Sequence, residues 1–88
     1  MTIEATLEGR EATYGCFRAH GAISQRLKRS MALSSGYEDL DDDMKEALEM
    51  IQHKVARILN GDPNYADSWH DIAGYATLID QRLQDGEE

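Results

Sequence analysis

Eighty-eight residues with nine basic and seventeen acidic side chains carry a formal net charge of −8. A chain this short makes one small domain with a slender core, for which oligomerisation is a common remedy. The charge speaks against binding duplex DNA through its phosphates, and no apolar run approaches the roughly 20 residues that span a bilayer.

The first predicted helix is short, Ile3 to Gly9, with Ile3 and Leu7 one turn apart. The start, Met1-Thr2-Ile3-Glu4, has no basic flank and no apolar signal region, so no targeting segment is expected. A break at Thr13-Tyr14-Gly15 follows. Cys16, the single cysteine, permits no internal disulfide and suits a reducing, cytoplasmic compartment.

The second helix, about Phe17 to Leu33, sets Phe17, His20, Ile23, Leu27 and Met31 at spacings of three and four, an amphipathic stripe. His20 on that stripe is expected as a satisfied, half-buried histidine. No acid lies between Glu11 and Glu38, where Arg18, Arg26, Lys28 and Arg29 sit. Seven acids then crowd the span Glu38 to Glu49 against Lys45 alone. This segregation suggests either solvated faces or a basic helix docked on an acidic one.

Asp41 to Asp43 supply N-cap candidates for the third helix, and Asp43-x-x-Glu46 has capping-box spacing. Met44, Leu48, Ile51, Val55 and Ile58 form its seam, widened by Ala47 and Met50. Asn60-Gly61 reads as a left-handed stop, and Pro63 cannot continue the helix. The last helix, about Ala66 to Leu83, carries Trp69, Ile72, Ala76, Ile79 and Leu83 on one seam, with residues 84–88 a frayed acidic tail. Every periodic segment is helical. The expected fold is therefore all-α, one domain over residues 1–88, an antiparallel bundle of three to four helices completed by dimerisation.

Four carboxylates are the candidate chemistry. Glu46 and Glu49 stand at i and i+3 on the third helix, and Asp67 and Asp71 at i and i+4 on the fourth. Such pairs suit a hard cation such as Mg²⁺, which takes oxygen ligands and leaves room for water and phosphates. Glu46 and Glu49 lie away from the apolar seam, so their use as metal ligands requires another helix, from a partner subunit, to cover that face. Ser68-x-x-Asp71 also has capping-box spacing, a purely structural use. Gly74, one turn beyond Asp71, implies close packing or room for a ligand. Lys54 and Arg57 flank the seam, either snorkelling or meeting phosphate. Tyr14 in its glycine turn is placed to stack on a base.

The strings Thr13-Tyr14-Gly15-Cys16-Phe17, Glu46 to Leu59, Gly61-Asp62-Pro63-Asn64 and Asp67 to Ala76 carry a resemblance. Over nearly its whole length the chain resembles a small domain of unknown function found in tailed-phage and prophage genomes. That domain is similar, more loosely, to phage nucleotide-modification-associated domains and to the MazG-like all-α nucleoside triphosphate pyrophosphohydrolases. The latter place Glu-x-x-Glu and Glu-x-x-Asp on two helices around Mg²⁺ and work as dimers or tetramers. The resemblance implies Glu46, Glu49 and Asp71 as catalytic groups and Glu46, Glu49, Asp67 and Asp71 as Mg²⁺ ligands, with Ser68 standing where the second motif has its first acid. Lys54, Arg57 and Tyr14 would hold the nucleotide, in the cytoplasm of a bacterial host. The competing expectation is a non-enzymatic acidic phage protein that inhibits a basic host or defence-system partner, in the anti-CRISPR manner.

Overall fold

A computed structural model describes residues 2–86. The described residues form four helices, α1 (Ile3–Tyr14), α2 (Phe17–Ala32), α3 (Asp42–Asn60) and α4 (Ala66–Asp85), with a single 3-10 turn at Tyr37–Asp39. The described residues contain no strand, and none of their helices is long and apolar enough to cross a membrane. The fold is a small all-α bundle. The expected second, third and fourth helices match these ranges closely, whereas α1 runs one and a half turns past Gly9. Gln84 and Asp85 close α4 as helix. The rest of the expected frayed tail, residues 87 and 88, lies outside the described residues.

Local chemistry explains the starts and stops. Thr2 caps α1, its Oγ1 accepting from the Ala5 amide at 3.1 Å. Asp41 sits at the N-cap position of α3 but makes no capping bond. Its carboxylate accepts instead from Arg82 Nη2 at 2.9 Å. The two expected capping boxes are not formed: Asp43 lies inside α3 with its carboxylate on Arg82, and Ser68 lies buried inside α4, whose N-cap position is Tyr65. In both cases a tertiary partner or burial outcompetes the local bond.

Helix α3 is the middle of the molecule, packed along α4 on one side and α2 on the other, both antiparallel to it. Towards α2, Ser24 Oγ donates to Gln52 Oε1 at 3.1 Å, and Lys28 meets Glu49 at 3.8 Å. Towards α4, Lys54 pairs with Asp71 at 2.9 Å and Arg82 clasps both Asp41 and Asp43. The expected docking of a basic helix on an acidic one is thus confined, for α2, to Lys28 on Glu49; the stronger clasp comes from α4.

Because α3 has a neighbour on each side, its buried positions form two stripes: Ala47 with Lys54, and Gln52 with Ala56. The expected seam of Met44, Leu48, Ile51, Val55 and Ile58 falls between them and is only half covered, with Leu48 40% exposed. The interior is correspondingly small and polar. Ala47 and Ala56 are its buried apolar side chains; His20, Ser24, Gln52, Lys54 and Ser68 are buried beside them. Trp69, expected in the core, is half exposed and donates its indole N–H to the Pro63 carbonyl at 2.8 Å.

Candidate functional site

The turn after α1 is bolted to the end of α3. Asn60 Nδ2 donates to the carbonyls of Tyr14 and Cys16 at 3.0 and 2.9 Å, and the Asp62 amide donates to Thr13 O at 2.8 Å. Two glycines make this contact. Gly15 has φ +82°, a left-handed conformation that side chains resist, and a Cβ there would lie 2.2 Å from the Asn60 carbonyl. A Cβ at Gly61 would lie 2.3 Å from Thr13 O. Gly61 was expected as a left-handed stop, but its φ is −128°. Close backbone approach, not handedness, is what requires glycine there.

This junction sets Tyr14 against α3. The Arg57 guanidinium lies 4.1 Å from the Tyr14 ring centroid and that of Arg10 lies 5.2 Å from it, both cation–π contacts. Tyr65 meets the same ring edge-on at 5.8 Å. Among the described residues neither guanidinium has a carboxylate within salt-bridge distance. They border a cavity of about 300 Å³ that is also lined by Leu7, Glu11, Phe17, His20 and His53. Phe17 is 82% exposed and stacks on His20 at 5.9 Å.

His20 and His53 meet edge to face at 4.6 Å. Burial, then the Arg57 charge, pushes the His20 imidazole down; the same two causes, followed by His20, Lys54 and Lys28, take His53 to about 4. Both rings are therefore neutral at pH 7. His20 was expected half-buried and satisfied. It is buried, at 5% exposure, and its Nδ1 has no hydrogen-bond partner.

The four candidate carboxylates take separate partners. Glu49 accepts from the Tyr37 hydroxyl at 3.3 Å and meets Lys28. Asp67 is exposed and accepts from the Tyr65 hydroxyl at 3.2 Å. Asp71 is held by Lys54, whose hydrogen bond keeps its carboxyl below the usual range. Glu46 lies on the exposed surface. Register explains the dispersion. With Lys54 opposite Asp71 and Asp43 opposite Arg82, Glu46 and Glu49 stand level with Ile79 and Ala76. At 1.5 Å per residue they are about 12 and 7 Å along the axis from Asp71. Among the described residues no three His, Cys, Asp or Glu side chains are grouped to hold a metal ion.

Of the nucleotide-holding trio, Tyr14 and Arg57 are brought together, whereas Lys54 is buried on the α4 side and engaged by Asp71. Gly74 has open space around its missing Cβ, so close packing is not its reason; it borders a shallow hollow with His70, Asp71, Tyr75 and Leu78. His53 was not among the expected site residues. Only the junction of α1 with α3 makes it a neighbour of Arg10 and Tyr14, and the one sequence signal for it was the pair of glycine turns.

No curated protein and no solved structure matches the chain. A family profile described as a domain of unknown function, DUF6378, matches residues 2–83. Covering nearly the whole chain, that match makes this protein a member of the DUF6378 family.

Proposed function

We propose that this protein is a phage-type, MazG-like domain that binds a nucleoside triphosphate in the cavity between α1, α2 and α3. The observation that carries the reading is the pair of guanidinium groups, Arg10 and Arg57, set against the Tyr14 ring with no carboxylate of the described residues within salt-bridge distance of either, Glu11 being the one acid on the cavity lining. Arginine presents a planar fork that matches phosphate oxygens, and a guanidinium already oriented by an aromatic ring loses little freedom on binding. The exposed Phe17 ring at the cavity rim offers a stacking surface for a base. The neutral His53 ring adds a donor or acceptor without charge.

The expected Mg²⁺ does not fit the carboxylates of one chain. Glu46, Glu49, Asp67 and Asp71 are dispersed over different levels and partners, so no hydrolytic step is derived through them. Binding is the activity proposed. The rival reading, an acidic surface for a basic host protein, is weakened because Arg82 engages Asp41 and Asp43, offsetting one of their two charges, and Lys45 approaches Glu38 at 3.7 Å.

Calorimetric titration with ATP, GTP, CTP, UTP and their deoxy forms, in Mg²⁺ and in EDTA, tests this directly. Saturable binding of at least one nucleotide, retained in EDTA and weakened about tenfold or more by Arg57→Met, is expected from the loss of one charge-assisted contact. Absence of binding by the wild type at millimolar nucleotide would end the proposal.

A further inference from the structure

One side of the α3–α4 pair is apolar and open. Leu40, Met44, Leu48 and Ile51 face Ala76 and Ile79 across a groove of about 310 Å³ whose lining carries no charged side chain. Trp69 and Leu83, each seven residues from Ala76, continue the stripe along α4, and both are more than half exposed.

The chain as a whole exposes more surface than a compact monomer of its mass. A folded chain of 9.9 kDa is expected to expose about 5,200 Å². This one exposes 6336 Å². The excess, about 1,100 Å², is of the size that each partner contributes to a standard interface, about 800 Å². No large side chain is fully buried, and the radius of gyration is 15.1 Å, against about 12 Å for a compact domain of this length. A chain lacking a core needs one supplied permanently, which favours an identical chain over an occasional partner. An uncharged groove makes no demand for a partner of opposite charge, and Arg82 is already engaged with Asp41 and Asp43 near its end.

We infer that a second copy of this chain covers the groove, the two related by a two-fold axis through the α3–α4 faces. Such an isologous contact pairs the same patch on both chains. Helical phase gives it a consequence. Arg57, nine residues from Leu48, points about 180° away from it, and Glu46, two residues away, about 160°. The dimer therefore leaves both Tyr14–Arg57 cavities open on its outer sides. It also leaves Glu46 uncovered, so the second copy supplies no metal shell there.

Sedimentation equilibrium without nucleotide, at 5 to 200 µM, separates this from the ligand reading. The expected mass is twice the 9.9 kDa of one chain, and the thermal midpoint rises with protein concentration because folding is coupled to association. Leu48→Glu and Ile79→Glu shift the mass to monomer or abolish folding, whereas Glu46→Gln changes neither mass nor midpoint. A wild type that is monomeric with a concentration-independent midpoint overturns the inference, as does a mass of three or more chains. Dissociation by Glu46→Gln overturns the choice of face.

Discussion

Lys54 is buried to 9% exposure, with the Asp71 carboxylate 2.9 Å from its ammonium. Removing Asp71 alone strands an ammonium; removing both partners does not. Asp71→Asn is expected to destabilise the fold, and Lys54→Met with Asp71→Leu to recover much of the loss, a comparison read from urea melts. Equal losses in the single and double variants would show that the stranded ammonium is not the source of the cost. His53 gives a pH signature. Its folded value, about 4, lies below the ordinary 6.5, so the unfolded chain binds more protons between those limits. Stability from this ring is complete above pH 6.5 and falls as pH drops towards 4. His20, held low by the same burial, acts in the same direction, while Arg57, Lys54 and Lys28 supply the facing positive charge. His53→Gln should shrink the drop in thermal midpoint between pH 7 and 5 without abolishing it. An unchanged drop would remove His53 from the account.

At the scale of elements, the weakest join is α1, which meets the rest only through the Tyr14-Gly15-Cys16 turn and one end of α2 and α3. Gly61→Ala puts a methyl against the Thr13 carbonyl and the Tyr14 backbone, which cannot yield as a flexible side chain does. Its expected outcome is an undocked α1, seen as faster proteolysis after Arg10 and loss of nucleotide binding, with α2 to α4 still folded. Retained protection of α1 would contradict the junction. Gly74→Ala is the counterpart: it lies inside α4 with open space around it. There alanine should stabilise by about 0.5–1 kcal/mol, from helix propensity and reduced unfolded-state freedom. Loss of stability would mean that the hollow beside Asp71 is occupied in solution.

For the whole molecule, ligand and partner act on the same marginal balance. A domain whose buried apolar side chains are two alanines has little stability to spare. A bound nucleotide at a hundred times its Kd adds about 2.7 kcal/mol by mass action. Thermal shift assays at fixed protein concentration should show the midpoint rising with nucleotide in the wild type and scarcely moving in Arg57→Met. A rise of the same size in both would place the ligand elsewhere.

Helix existence and most helix boundaries were legible in the residues, because periods of three and four and the Gly and Pro breaks report local backbone chemistry. Which side of each helix is covered was not. The seam Met44 to Ile58 read as core because it is the most apolar arc of α3, yet two flanking neighbours buried the small and polar arcs beside it. Register is equally invisible to spacing: Glu46, Glu49 and Asp71 each satisfied the metal pattern on their own helix, and only the pairing of Lys54 with Asp71 sets them at different levels. The meeting of Tyr14 with Arg57 was decided by backbone contact across more than forty residues, which no local period encodes. Periodicity is a property of one helix at a time, whereas coverage, level and neighbourhood belong to the packing of several.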